Sequence, residues 1–231
     1  MKALLFIHGI AGTPQHFEPF LPLVPGNMTV RNLLLAGHGG TVQDFSRASM
    51  AEWRAQVAEA LDELQRDNEQ IYIAAHSMGT LFAIQEALQR PAVVALFLLA
   101  VPLKLRLRPA MVGNALKVYF NRISPDDLPA LAALRCYGIA PDKNPLHYLG
   151  WLPRYLELLA EIRKCRPLIE KLKTPCTAYQ SAKDEMVSPA AATLLREHGS
   201  VRVILLPDSG HYYYAPLDEE RLLKDFSEFV M

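Results

Sequence analysis

One stretch of the sequence is the main guide to the fold and the candidate site: Ile71-Tyr72-Ile73-Ala74-Ala75-His76-Ser77-Met78-Gly79-Thr80. It begins as an apolar, strand-like run and ends at Ser77, after which apolar residues recur at helical spacing. Strand, sharp turn and helix with a serine at the turn is the arrangement of a nucleophile elbow, which strains the serine backbone. The residue two places on must then be small. Gly79 meets that demand, whereas Ala75 stands where glycine is usual. Alone, the stretch also fits a strand that ends in a solvated serine before an ordinary helix.

Length and charge narrow the class of protein. The chain has 231 residues, 51% of them hydrophobic, which predicts a single domain over residues 1–231 with a substantial core. Twenty-four basic residues balance 24 acidic ones. No basic patch or acidic tail is visible, so nothing favours a nucleic acid or an anionic membrane surface as the partner.

The cysteines and the start of the chain indicate a compartment. Cys136, Cys165 and Cys176 are widely spaced and show no metal-ligand spacing, which favours inert thiols in a reducing environment. The apolar run at 3–7 is too short for a signal peptide and is interrupted by His8-Gly9. No run approaches the roughly 18 apolar residues of a membrane span. We therefore expect a soluble, cytoplasmic protein without an integral membrane segment.

Strand-like and helical patterns alternate through the first hundred residues. Strands are expected over 3–7, 28–35, 70–75 and 92–101. Helices are expected after Thr13-Pro14, with Phe17, Phe20 and Leu21 inward, after Ser49, and after Ser77. This alternation predicts an α/β fold with a mainly parallel sheet and helices on both faces.

The alternation breaks after the fourth strand. No strand is evident from Pro102 to about Gly150, and prolines and short apolar helical pieces indicate a helical cap inserted at about 103–150. Further on, a helix from Trp151 should end or kink at Pro167. Strands are then expected over 175–181 and 200–206, with a helix after Ser188-Pro189 and a final helix with an apolar face.

A serine hydroxyl needs a base and a third group that holds the base. The elbow hypothesis predicts an acid and a histidine later in the chain, each just after a strand, and Asp184 and His211 occupy such positions. Glu185 is an alternative acid, and Asp184 is preferred because it lies closer to the strand end. Asp208 is a weaker rival that we interpret as a turn residue.

The other histidines are less suited to catalysis. His8 and His38 adjoin glycines, which favours a loop-stabilising role. His76 neighbours the serine but is expected to point to the other side of the strand. The remaining three are expected at the surface or in the cap: His16, His147 and His198. None has metal-ligand spacing such as HExxH.

Acyl transfer also needs N–H donors aimed at the developing oxyanion. The helix after Ser77 offers the backbone N–H of Met78, and the glycine-rich loop 8–12 offers that of Ile10. An ordinary strand-to-helix turn is the alternative. The position of the loop, after a strand expected to lie beside the elbow strand, favours an oxyanion site.

Five motifs together resemble the α/β-hydrolase family, and within it small bacterial carboxylesterases and monoacylglycerol-lipase-like serine hydrolases. They are residues 8–14, Gly37-His38-Gly39, His76-Ser77-Met78-Gly79, residues 183–187 and Ser209-Gly210-His211. The resemblance implies Ser77 as nucleophile, Asp184 as acid and His211 as base, with Ile10 and Met78 as oxyanion donors. It also implies that the cap forms the substrate pocket.

Three departures from the family pattern stand out. Ala75 replaces the first elbow glycine, and Thr80 stands where a second glycine is frequent. The chain also starts on what would be the family's third strand. The first hairpin is therefore absent, and six largely or wholly parallel strands are expected.

These features predict a serine hydrolase that cleaves carboxylic esters through an acyl-enzyme, with no metal or organic cofactor. The apolar cap favours a small-molecule ester with an uncharged, partly apolar acyl group. A thioesterase, amidase, acyltransferase or C–C bond hydrolase would use the same residues. A non-catalytic α/β-hydrolase-fold protein that binds a ligand is the alternative from another class.

Overall fold

The structure is a computed structural model that describes residues 1–106, 108–120, 122–197 and 201–231. Its centre is one sheet of six strands, all parallel, in the order β2-β1-β3-β4-β5-β6. The strands are β1 (Lys2–Ile7), β2 (Met28–Leu33), β3 (Gln70–His76), β4 (Val93–Leu99), β5 (Cys176–Ser181) and β6 (Val201–Leu206). The predicted six-stranded parallel sheet is confirmed. The expected strand start at Ser200 lies outside the described residues, as does the prediction for His198.

Eight α-helices occur in the described part of the chain. They are α1 (Val42–Arg47), α2 (Met50–Asp67), α3 (Met78–Gln89), α4 (Pro109–Tyr119), α5 (Leu128–Cys136), α6 (Leu152–Cys165), α7 (Ala190–Arg196) and α8 (Pro216–Val230). Helix α2 begins as predicted, because the Ser49 side chain accepts a hydrogen bond from the Glu52 N–H at 3.1 Å. Helix α6 ends at Cys165, just before the Arg166-Pro167 step.

Two apolar cores lie on opposite faces of the sheet. Alternate residues of β1 enter different cores, as the two-residue period of a strand requires: Leu5 and Ile7 face one, Leu4 and Phe6 the other. The larger core contains the buried sides of α1, α2, α3, α6 and α7, and the smaller one contains that of α8. The prediction of helices on both faces is confirmed.

Two elements near the N-terminus differ from expectation. The residues after Thr13 form only short 3-10 helices, Pro14–Phe17 and Leu21–Leu23, because prolines interrupt the segment. Phe17 and Phe20 are buried as expected, but Leu21 is exposed. Helix α1 was not predicted. A capping box between Thr41 and Asp44 starts it, and six residues are too few to show a periodic pattern.

The chain between β4 and β5 is helical. It contains α4, α5, a 3-10 helix (Pro145–Trp151), α6 and a second 3-10 helix (Arg166–Lys171). Helix α6 packs beside α3, where Gln85 donates a 2.7 Å hydrogen bond to Glu161. No helix in the described ranges is long and apolar enough to cross a bilayer.

Candidate active site

Ser77 lies on a strained turn between β3 and α3. Its backbone has φ 51° and ψ −121°, a conformation that L-residues rarely adopt. Two glycines give it room: a Cβ on Gly79 would collide with the Ile7 carbonyl oxygen and approach that of His8 to 2.8 Å, and one on Gly9 would lie 2.8 Å from the Ser77 Cβ. The strand-to-helix turn predicted from the sequence is therefore present, with its backbone strain.

The two departures at the elbow are accommodated. Ala75 is fully buried in the sheet, between Ile7 of β1 and Leu98 of β4. Thr80 is buried, and its hydroxyl donates a 2.6 Å hydrogen bond to the Ser77 carbonyl oxygen. An alanine and a threonine at these positions are thus compatible with the strained serine.

Asp184 and His211 meet in a buried pair at the same edge of the sheet. His211 Nδ1 lies 2.9 Å from Asp184 Oδ2, and both side chains are almost wholly buried. The other carboxylate oxygen accepts hydrogen bonds from the N–H groups of Met186, at 2.8 Å, and Val187, at 2.7 Å. This network places the imidazole proton on Nδ1 and leaves Nε2 as the free basic nitrogen.

Glu185 contacts the histidine backbone, whereas Asp184 contacts the ring. Glu185 Oε2 accepts a 2.8 Å hydrogen bond from the His211 N–H. Asp208, the weaker rival, pairs with Lys183 at the surface. The geometry therefore supports Asp184 as the group that orients the imidazole.

Among the described residues, Ser77 Oγ makes no hydrogen bond to His211. Such bonds are often loose in the absence of substrate. The structure nevertheless links the two segments through His76, whose Nε2 lies 3.0 Å from the His211 carbonyl oxygen.

His76 and His16 form a buried stack behind His211. The rings of His76 and His16 lie 4.0 Å apart, and those of His76 and His211 lie 4.7 Å apart. The expectation that His16 lies at the surface or in the cap is wrong, since only 5% of it is exposed. Its position results from packing against a distant part of the chain, where Tyr214 lies within 3.2 Å, and no local pattern signals that contact. His147 is half-exposed beside Asp142, as expected.

His8 and His38 stabilise the loops next to the elbow, as predicted. His8 Nε2 accepts a hydrogen bond from the Leu35 N–H, and His38 Nε2 accepts one from the Ala11 N–H, both at 3.1 Å. The second bond holds Ala11 at φ 56°, a left-handed conformation beside Ile10. The His38 imidazole thus fixes the loop that carries the predicted oxyanion donor.

Burial lowers the pKa values of four histidines. Desolvation is the main cause for each: the pKa falls from 6.5 to about 3 for His8 and His16, to about 4 for His38, and well below 6.5 for His76. All four are therefore neutral near pH 7.

The four buried histidines predict that the free energy of unfolding decreases at a mildly acidic pH. Below about pH 6.5, each of these histidines takes up a proton when the protein unfolds. Its contribution to the free energy of unfolding is therefore complete above about pH 6.5 and declines as the pH falls towards the pKa of the folded state. The free energy of unfolding should fall by up to about 1.4 kcal/mol per pH unit for each histidine. Urea unfolding between about pH 5 and pH 7 measures this slope before most carboxylates titrate.

The variant for this test is His16→Gln. Because it removes one buried histidine whose pKa is lowered in the folded state, it should reduce the slope by about one proton. A free energy of unfolding that stays constant from pH 7 to pH 5 would contradict the prediction.

Ile10 and Met78, the predicted oxyanion donors, lie in the loop after β1 and directly after Ser77. Met78 is the first residue of α3, where backbone N–H groups lack partners within the helix. Ile10 lies in a tight turn that is closed by a 3.1 Å hydrogen bond from the Gly12 N–H to the Gly9 carbonyl oxygen. In the described ranges neither amide donates a hydrogen bond. Their role stays a prediction.

A cavity of about 660 Å³ opens beside these groups. Aromatic side chains dominate its described lining: Tyr119, Phe120, Tyr137, Tyr148, Trp151, Tyr155, Tyr212 and Tyr213. Ile10 and His211 also line it, and Glu185 is the one charged side chain among the described lining residues. No group of three potential metal ligands occurs in the part of the chain described here.

A parallel sheet with a strained serine turn, followed in chain order by an acid and a histidine at one edge, defines the class of α/β proteins built around a nucleophile elbow. The sequence model of the alpha/beta hydrolase family matches residues 4–224. The chain therefore belongs to the alpha/beta hydrolase family.

Solved structures share this fold at low sequence identity. The Paleococcus ferrophilus monoacylglycerol lipase is 18% identical with a TM-score of 0.70, and the alignment covers 99% of this chain and 93% of that one. A soluble variant of the Saccharomyces cerevisiae monoglyceride lipase is 12% identical (TM-score 0.73; 99% and 85% covered). The thioesterase domain from the curacin biosynthetic pathway is 18% identical (TM-score 0.62; 100% and 91% covered). A comparison with curated proteins gives no significant match.

Proposed function

We propose that the protein is a serine hydrolase that cleaves uncharged carboxylic esters through an acyl-enzyme. The observation that carries the proposal is the buried Asp184–His211 pair at the edge of the sheet where the strained Ser77 turn lies. A serine hydroxyl becomes a good nucleophile when a nearby imidazole, held in place by a third group, can take its proton.

In the first step, Ser77 Oγ attacks the ester carbonyl while His211 Nε2 takes its proton. Asp184 holds the Nδ1–H and stabilises the imidazolium, without accepting the proton itself. The N–H groups of Ile10 and Met78 donate to the oxyanion, and losing one such donor typically costs about 10²–10³ in rate. The C–O bond then breaks as His211 gives its proton to the leaving alcohol, and the acyl group stays on Ser77.

In the second step, water replaces the alcohol. His211 Nε2 takes a proton from the water, the hydroxide attacks the acyl carbonyl, and the proton returns to Ser77 Oγ as the acid leaves. Glu185 supports both steps indirectly, because its bond to the His211 N–H fixes the backbone of the base.

The aromatic cavity supports an apolar acyl group. Residues of the proposed cap at 103–150 line it together with Ile10 and His211. The described lining has no Lys or Arg to pair with a carboxylate, and Glu185 would repel one. The three cysteines are free and buried, which supports the proposed cytoplasmic location.

Acyl-chain preference tests this proposal. Each buried CH₂ contributes about 0.8 kcal/mol, so kcat/KM should rise by up to about fourfold per methylene. We expect p-nitrophenyl butyrate and hexanoate to exceed the acetate by about tenfold or more. The p-nitrophenyl monoester of succinic acid, which adds a terminal carboxylate, should be a much poorer substrate than the butyrate.

The same panel should include thioesters of the same acyl groups. A flat chain-length profile, or a preference for the succinate ester, would contradict the apolar pocket. Thioester turnover that exceeds oxygen-ester turnover by orders of magnitude would assign the site to a thioesterase.

A further inference from the structure

Helix α6 presents leucines to solvent. Leu152, Leu156 and Leu159 recur at i, i+4 and i+7, so they share one helical face. They are 61%, 56% and 39% exposed. An ordinary surface helix carries polar residues on this side, so the outer face of α6 is the reverse of the usual pattern.

The inner face of α6 is mainly apolar, with Leu158, Ile162 and Cys165 in the core, but it also contains two charged residues. Arg154 and Glu161 are buried there. Arg154 donates hydrogen bonds to the Ser46 carbonyl oxygen at 3.1 Å and to Glu157 at 2.6 Å. Glu161 accepts one from Gln85 at 2.7 Å. These inward charges have partners, so the outward leucines belong to an orientation of α6 that polar contacts hold in place.

The 3-10 helix that leads directly into α6 also exposes leucines. Its three-residue repeat puts Leu146 and Leu149 on one side, and they are 68% and 69% exposed. We call these five residues the leucine face: Leu146, Leu149, Leu152, Leu156 and Leu159. Clustered apolar exposure of this kind marks an interaction surface on a folded protein.

The net charge of the surrounding segment indicates what kind of partner the leucine face binds. Residues 102–173 contain thirteen Lys and Arg against six Asp and Glu, whereas the rest of the chain contains eleven against eighteen. The balanced total therefore hides a cationic segment. Exposed cations flank the leucine face along the chain: Lys143 lies three residues before Leu146, and Arg163 lies four residues after Leu159 on the same helical face.

The leucine face also adjoins the cavity. Tyr155 on α6 lines the cavity and is 37% exposed. Leu116 and Phe120 line the cavity as well and are more than half exposed. Helix α6 thus contributes both to the leucine face and, through Tyr155, to the lining of the cavity.

We propose that the leucine face docks this protein on an anionic lipid surface. Leucines that enter the interface, with cations beside the headgroups, are the two forces that hold a peripheral protein on an anionic bilayer. A second copy of the chain fits less well, because a two-fold contact would set the same cationic segment against itself. A link between docking and substrate rests on the proposed function: an apolar ester would pass from the lipid into the adjoining cavity.

Vesicle sedimentation tests the docking apart from hydrolysis. Ether-linked lipids lack carboxylic esters, so the enzyme cannot consume them. The wild-type protein should bind vesicles of ether-linked phosphatidylcholine and phosphatidylglycerol at least about tenfold more tightly than vesicles of phosphatidylcholine alone, and added salt should weaken this binding. The double variant Leu149→Glu, Leu156→Glu should lose about tenfold or more of the binding.

Leu217→Glu is the matched control, because Leu217 is a strongly exposed leucine on α8, outside the cationic segment. It should bind vesicles as the wild type does. Turnover of p-nitrophenyl acetate in solution should be equal in all three proteins, which checks their folding. Equal binding by the double variant and the wild type, or no binding by the wild type, would overturn the proposal. The proposal would also be overturned if light scattering showed that the wild type is a dimer and the double variant a monomer, because the leucine face would then be a protein contact.

Discussion

Replacing Ser77 with alanine is expected to abolish ester hydrolysis while leaving the fold intact. The hydroxyl is the proposed nucleophile, and loss of a triad nucleophile typically costs at least about 10⁴-fold in kcat. Alanine keeps a Cβ at a residue with φ 51°, so the backbone strain of the turn is unchanged. Initial rates on p-nitrophenyl butyrate, with circular dichroism and urea unfolding as folding checks, measure the effect.

Ser188→Ala is the matched control for this experiment. Ser188 is also buried and follows β5, but its hydroxyl only accepts a 3.4 Å hydrogen bond from the Ala190 N–H at the start of α7. Its activity should stay within a few-fold of wild type. If Ser77→Ala retained wild-type turnover, the nucleophile assignment would be wrong.

Replacing Asp184 with asparagine should have the second largest effect, about 10⁴-fold in kcat. The asparagine oxygen can still accept the hydrogen bonds from Met186 and Val187. Its NH₂ group then faces His211 Nδ1 and donates to it. The imidazole proton must move to Nε2, and the nitrogen that should take the serine proton is no longer free.

Glu185→Gln is the companion variant, and we expect a loss of less than about tenfold. A glutamine oxygen can still accept the His211 N–H that Glu185 accepts at 2.8 Å. Comparing kcat on the same ester in both variants, at a pH where the wild type is fully active, separates the two roles. A large loss of kcat in Glu185→Gln with a small loss in Asp184→Asn would identify Glu185 as the acid instead.

The sheet could be predicted because its strands are short, continuous apolar runs with helical patterns between them. That pattern follows from burial on both faces, which each strand carries in its own residues. Helix α1 could not be recognised in the same way, because its six residues are shorter than two helical turns. The first helix was predicted wrongly because Thr13-Pro14 resembles a helix start, while later prolines limit the segment to 3-10 turns.

The candidate site could likewise be predicted where it depends on the local sequence, and could not be predicted where it depends on contacts between distant segments. Ser77, Asp184 and His211 each stand just after a strand, so parallel topology alone predicts that they share an edge of the sheet. The burial of His16 against His76 and Tyr214 depends on contacts across the whole chain, and the sequence offers no sign of it. The tyrosine-rich cavity likewise draws its walls from several separate segments.

Labelling with a fluorophosphonate probe tests the central claim most directly. The probe phosphonylates an activated serine, and mass spectrometry of the digested protein locates the modified residue. We predict stoichiometric labelling of Ser77, which should disappear in Ser77→Ala and fall sharply in Asp184→Asn. Labelling at Ser188 or Ser209 instead, or a folded wild-type protein that takes up no probe, would contradict the account.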